Sequence, residues 1–295
     1  MLLSFLAVGD HKPWGFLGIS FVILAVLLFA FSIYASRKWI KSNKAYSIVV
    51  LLFSLCFISM ELIHEIGRFK QFGQYDWSSF PFQMCSVTMY VALMSVFFKD
   101  GRAKKAFSMF FATFTLLSGI LPLIFAQGNL FRWPTLGGIL FSFIWHILLL
   151  CLGGVSIGYN HIARSFRKEY KSLIAVAVMF LVITIIAQLL NVTIHYAAGG
   201  FEVADGVIKE AGYMPNYELD PDSASLFYIS PYFKSNIPVV FDDIWLNSGW
   251  VMCWIVYVLA FVVGEYIVYF STYGIKKIYF MIKNEGAIDD TEARA

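Results

Sequence analysis

The chain has too little charge to be soluble. Of its 295 residues only 14% are Asp, Glu, Lys or Arg, whereas 59% are hydrophobic and 18% aromatic. That is too few ionisable groups to coat a water-soluble globule of this length. Cysteine is scarce as well. Cys56, Cys85, Cys151 and Cys253 all fall inside apolar runs, where no oxidising compartment would pair them, so no disulfide framework is expected. Three further absences narrow the class. No run shows the alternating ten-residue pattern of an outer-membrane barrel. No internal repeat or matched pair of Gly/Pro-broken segments marks a secondary transporter. No nucleic-acid module is visible, and no nucleic-acid partner is expected. The histidines show neither His-x-x-x-His nor His-Glu-x-x-His spacing, so neither a metal site nor any other cofactor is expected.

Long apolar runs are what the sequence does have. A bilayer core about 30 Å thick takes about 20 apolar residues in helical form. Seven runs of that size occur: Gly15 to Ala35, Ala45 to Ile66, Phe80 to Phe98, Ala106 to Ala126, Pro134 to Ile157, Ser172 to Tyr196 and Gly249 to Thr272. The fold class is all-α, a polytopic membrane bundle of about seven transmembrane helices forming a single transmembrane domain over residues 1–295. The first run lacks a small-residue cleavage site and reads as a retained helix rather than a signal peptide.

Lys and Arg fall alternately dense and sparse along the loops. Four basic residues follow each of the first, third and fifth runs and the last run, so 16 of the 22 gather on one face. Because basic residues accumulate in the cytoplasm, the N-terminus is expected outside and the C-terminus inside. The net charge of +3 is a topology signal and suits anionic lipid. The expected location is the cell membrane, as a multi-pass protein of a bacterial plasma membrane.

One connection is long. The external stretch 197–248 carries eight acidic residues against two lysines and is rich in aromatics, among them Tyr217, Phe227, Tyr228, Tyr232 and Phe233. A solvated linker would not hold so many rings, so an ordered loop folded over the mouth of the bundle is expected.

Polar side chains inside a membrane are costly and mark function or helix contacts. Glu61, His64, Glu65 and Arg68 recur at helical spacing on one stripe of the second run, and Thr184, Gln188, Asn191 and His195 on one stripe of the sixth. Gln83, Cys85, Ser86 and Thr88 open the third run, and Ser142 and His146 lie in the fifth. Four helices thus aim hydrogen-bonding groups at the outer half of the bilayer. Glu265, deep in the last run, is expected to pair near the cytoplasmic surface.

Cys85 stands apart from the other cysteines. Polar neighbours surround it, Pro81 lies close by, and a helix N-terminus there would stabilise a thiolate. Its base would be a histidine. His146 lies about twelve residues into its helix, roughly 18 Å deep, against roughly 8 Å for Cys85, so His64 and His195 match its depth better. Tilt could absorb the difference, and all three stay open.

The segment Pro81-Phe82-Gln83-Met84-Cys85 resembles the YwaF-like bacterial integral membrane proteins and the related eukaryotic transmembrane protein 164 family. The multi-helix layout, His146 at 61 residues beyond Cys85, the Asn191 to Tyr196 segment and Ser230-Pro231-Tyr232 extend the resemblance. It implies acyl transfer between lipids through a Cys thioester, with Cys85 as nucleophile and His146 as base. Gln83 departs from the pattern, since bacterial relatives often carry His there. The expected function is thus a membrane lipid acyltransferase or acyl hydrolase of lipid metabolism with a phospholipid partner. Cys85, His146 and His64 would be catalytic, and Gln83, Glu61, Arg68, Gln188, Asn191 and His195 would bind substrate. The alternative is a non-enzymatic transporter, receptor or subunit that binds a membrane protein partner.

Overall fold

The computed structural model describes residues 14–99, 101–125, 130, 136–159, 166–202, 209, 216–234 and 239–282. Lys12, Ala126, Arg132, Pro134, Arg164, Asp205, Glu210, Tyr213, Lys283 and Arg294 lie outside the described residues.

The bundle is all-helical among the described residues. The helices are α1 (Phe16–Trp39), α2 (Asn43–Phe72), α3 (Val87–Phe97), α4 (Arg102–Ile124), α5 (Leu136–Gly158), α6 (Phe166–Ala198) and α7 (Val239–Ile282). Six of them, all but α3, are long and apolar enough to cross a membrane. Their outer faces present Phe16, Ile23, Leu27, Phe31, Leu52, Leu189 and Leu259, as expected of side chains whose solvent is lipid.

α3 corrects the sequence reading. The run Phe80 to Phe98 is not one spanning helix. Trp77–Ser79 forms a 3₁₀ turn, residues 80–86 follow without regular helix, and α3 begins only at Val87. Its 11 residues reach about 16 Å, half the hydrocarbon thickness. Apolar composition reports burial and cannot tell a helix from buried irregular chain. Pro81, Phe82, Gln83, Met84 and Cys85 therefore lie in the irregular half. Such backbone is tolerated at membrane depth only where protein or a water-filled cavity surrounds it.

α7 is also longer than the expected Gly249 to Thr272. Its break falls at Gly249, whose φ of 80° and ψ of 166° suit glycine alone, so the last ten residues of the expected loop are helical. α4 carries a π-helical turn at Phe111–Thr115.

Helix contacts follow residue size. On α5, Gly154 and Gly158 meet Ser32 and Ser36 of α1 so closely that a Cβ at either glycine would overlap the facing Oγ. This small-residue seam, a Gly-x-x-x-Gly, brings two backbones together where no hydrophobic drive separates helix from lipid. Gly158→Leu is expected to destabilise the bundle by about 1–3 kcal/mol through overpacking, read as a lower thermal midpoint in detergent. Elsewhere Tyr46 Oη and Ser156 Oγ lie 2.7 Å apart between α2 and α5, Ser54 donates to Met89 O at 2.9 Å between α2 and α3, and Tyr269 donates to Glu169 at 2.7 Å between α7 and α6. Glu265 differs from expectation. It is fully buried, and neither carboxylate oxygen has a hydrogen-bond partner among the described residues.

Candidate functional site

The long loop does fold over the bundle, and its core inserts into it. Residues 217–228 form three short 3₁₀ turns, and Ala224, Leu226, Phe227 and Ile229 are buried. Phe227 meets Phe180, near the middle of α6, at a ring distance of 5.9 Å, and Phe82 at 6.0 Å. The segment is thus a plug seated at membrane depth on the irregular stretch before α3. Its backbone is strained: Ser225, Phe227 and Tyr228 all have positive φ, at 30°, 58° and 61°. Each such conformation costs about 1–3 kcal/mol and persists only where surrounding contacts over-determine it.

Those contacts come from three residues singled out as substrate-binding. Gln83 Nε2 donates to Ala224 O at 2.9 Å. Asn191 Oδ1 accepts from Leu226 N at 2.8 Å. Gln188 Nε2 donates to Ile229 O at 2.8 Å. The polar stripe of α6 therefore reads the main chain of the plug, and Gln83 does so from the other side. The second atom of two of these amides is left over: Gln83 Oε1 and Gln188 Oε1 are buried acceptors with no hydrogen-bond partner among the described residues. Asn191→Ala would strand the buried Leu226 N–H at a cost of about 1–3 kcal/mol. The expected result is faster limited proteolysis within 217–233.

His195 closes the same plug nearer the surface. Its ring stacks on Tyr232 at 3.6 Å, and Nδ1 is 3.0 Å from both carboxylate oxygens of Asp222. Lys209 Nζ joins Asp222 at 2.7 Å and Asp220 at 3.2 Å. His195 is thereby engaged with the loop and is not directed at Cys85.

The stripe on α2 meets the turn that follows it. Arg68 pairs with the fully buried Asp76 through Nε and Nη2, Nη1 reaches Gln71 at 3.4 Å, and the guanidinium lies 4.5 Å from the Phe72 ring centroid. Asp76 also caps the 3₁₀ turn, accepting from Ser78 N at 3.0 Å and Ser78 Oγ at 2.7 Å. Arg68, expected to bind substrate, already holds a carboxylate. Glu65 accepts from Ser79 Oγ at 2.9 Å. Tyr75 hydrogen-bonds to Glu65 as well, and burial first, then that carboxylate, push its hydroxyl well above the usual tyrosine range. His64 stacks on Phe141 of α5 at 4.3 Å. Glu61 is 7% exposed, and its carboxylate, that of Glu65 and the His64 ring offer ligand atoms within 4.8 Å of one another.

Cys85 stands two residues before α3, half-buried. Its Sγ is 3.9 Å from Ser86 Oγ and lies against the backbone N–H groups of Cys85 and Ser86. His146 is 8% exposed on α5, with Nδ1 2.6 Å from Ser142 O, one turn back. A carbonyl oxygen can only accept, so Nδ1 carries the proton and Nε2 keeps its lone pair. No hydrogen bond joins Cys85 to His146 among the described residues. All four cysteines are free.

A bundle of long apolar helices, with an irregular segment at membrane depth and a plug seated on it, defines a multi-pass integral membrane protein. The chain belongs to the TMEM164 family, whose model matches residues 9–233. The match takes in Cys85, His146, both polar stripes and the plug, and ends where α7 has yet to begin. No curated protein and no solved structure matches the chain.

Proposed function

We propose that the protein is a membrane lipid acyltransferase that works through a thioester on Cys85, with the N-terminus outside and the site in the outer half of the bilayer. The observation that carries the reading is the unwound stretch before α3. It places the half-buried Cys85 outside regular helix and beside the start of α3, with its sulfur against the backbone N–H groups of Cys85 and Ser86. Membership in the family and the tautomer of His146 support it further.

In the first half-reaction Cys85 Sγ gives its proton to a histidine Nε2 and attacks the carbonyl carbon of a lipid ester. The tetrahedral intermediate expels the lipid alcohol, which takes that proton back, and an acyl thioester remains on Cys85. In the second half an acceptor hydroxyl loses its proton to the same histidine, attacks the thioester and releases the Cys85 thiol. His146 is the base that the tautomer favours. His64 is the alternative, on the neighbouring face of α2. With Gln83 Nε2 turned to the plug, backbone amides at the start of α3 are the groups left to hold the oxyanion. Gln83 Oε1 and Gln188 Oε1, without hydrogen-bond partners, are suited to accept from the acceptor's hydroxyl. His146→Ala is expected to lower acyl transfer from a fluorescent phospholipid by about 10²–10⁴-fold without altering the thermal midpoint by more than a few degrees. Activity at the wild-type level in that variant, with loss in His64→Ala instead, would move the base to α2.

A further inference from the structure

Apart from His64 as the alternative base, the acidic stripe of α2 is not used by the acyl-transfer reading, and its geometry points elsewhere. We propose that Glu61, His64 and Glu65 form a binding site for a divalent metal ion of the zinc class.

Spacing supplies the first argument. The three residues stand at i, i+3 and i+4 on one helix, so their side chains emerge on one face. A Glu-x-x-His step of this kind is how helices of carboxylate-rich bundles present metal ligands to a common centre. One ligand atom from each lies within 4.8 Å of the others. Two ligands on a tetrahedral zinc at about 2.1 Å stand roughly 3.4 Å apart, so small side-chain rotations close the set on an ion.

Charge supplies the second, independent argument. Glu61 is 7% exposed, yet it makes no hydrogen bond or ion pair with any described residue. A buried carboxylate without a partner costs several kcal/mol, and proteins meet that cost with a countercharge or by protonation. The available countercharge is already in use. Arg68, one turn further on, is held by Asp76, so Glu61, Glu65 and Asp76 face one guanidinium and the ionised cluster keeps two negative charges in excess. Lys70, the next cation on α2, points to the exposed side. A divalent ion restores neutrality.

The surroundings also hold the ligands in place. Glu65 is fixed by Ser79 Oγ at 2.9 Å and by Tyr75, and the His64 ring lies flat on Phe141 with an interplanar angle of 7°. Outer contacts of this type orient ligands and sustain affinity. The side chains of His64 and Glu65 are 10% and 18% exposed, which leaves the ion a way in. Three protein ligands leave at least one coordination position open. An imidazole in the set favours zinc or its transition-metal neighbours over calcium, which takes six to eight oxygens. The absence of a two-histidine spacing hides such a site from a motif search.

The test uses the full chain, purified in detergent without chelator, with metal content measured by mass spectrometry on wild type, Glu61→Gln and His64→Ala. Wild type is expected to carry about one zinc-class ion per chain, and each variant at least about tenfold less. Glu61→Gln keeps the shape of the side chain and removes its charge, so it folds whether or not a metal binds there. Chelation should therefore lower the thermal midpoint of wild type but not of Glu61→Gln, and Co²⁺ added to stripped wild type should give visible ligand-field absorption that Glu61→Gln lacks. Monodisperse wild type that carries no transition metal and gives no Co²⁺ spectrum would overturn the proposal. So would equal metal content in all three proteins. None of these readouts requires acyl transfer, so this site and the Cys85 reaction can fail separately.

Discussion

Cys85→Ala is expected to lower the proposed acyl transfer by at least about 10³-fold, whereas Cys56→Ala, Cys151→Ala and Cys253→Ala are expected to turn over at the wild-type rate. The contrast follows from where the four thiols sit. Cys56 faces outward from α2, Cys151 packs against the core from within α5, and Cys253 is fully buried in α7. Each is inside a regular helix whose N–H groups are committed to the carbonyls one turn back. Only Cys85 stands outside a helix and beside its start, where amide groups point at the sulfur. Loss of the thiol removes the group on which the acyl chain would be carried, so the expected defect is in turnover and not in folding. The measurement is single-turnover transfer from a labelled phospholipid by each variant in the same detergent. A Cys85→Ala protein that retains more than about a tenth of the wild-type rate would remove the thioester from the mechanism.

Asp76→Ala is expected to have the largest effect on stability, about 3–5 kcal/mol, because it leaves Arg68 buried without its carboxylate. The Arg68 and Asp76 side chains are 11% and 0% exposed. Asp76 also caps the turn Trp77–Ser79 through Ser78, and that turn leads directly into the irregular segment with Cys85. The variant should therefore lose thermal stability and acyl transfer together. Replacing both partners by apolar residues of similar volume, Arg68→Met with Asp76→Leu, should restore much of the stability, since no charge is then stranded. If Asp76→Ala unfolds at the wild-type midpoint, the ion pair does not anchor the segment.

Much of the architecture is legible in the sequence because the bilayer imposes it. Six of the seven apolar runs coincide with long helices, and the stripes of α2 and α6 follow from spacing alone. The third run was harder to read. Hydropathy responds to burial, and residues 80–86 lack regular helix while being half-buried or buried, with Phe82 and Gln83 against the plug. Pro81 was the local signal, since the residue before a proline avoids the helical region. The partners of the polar stripes were not legible for a different reason. Asn191 and Gln188 bind the backbone of residues 226 and 229, and a backbone carbonyl or amide looks the same at every position of a sequence. Arg68 finds Asp76 and Glu65 finds Ser79 only because the chain turns back on itself after Phe72. The Gly154 and Gly158 pair was present as a spacing, but its use depends on Ser32 and Ser36 lying opposite, which only the packing of α1 on α5 reveals.

Intact-protein mass spectrometry of the chain purified from cells, as wild type and as Cys85→Ala, tests the central claim most directly. The account predicts a hydroxylamine-sensitive acyl adduct on the wild type that is absent from Cys85→Ala, with its mass naming the acyl chain. An unmodified wild type, together with a membrane lipid composition that does not change between cells carrying the two forms, would contradict it and leave a binding or transport role for the plugged bundle.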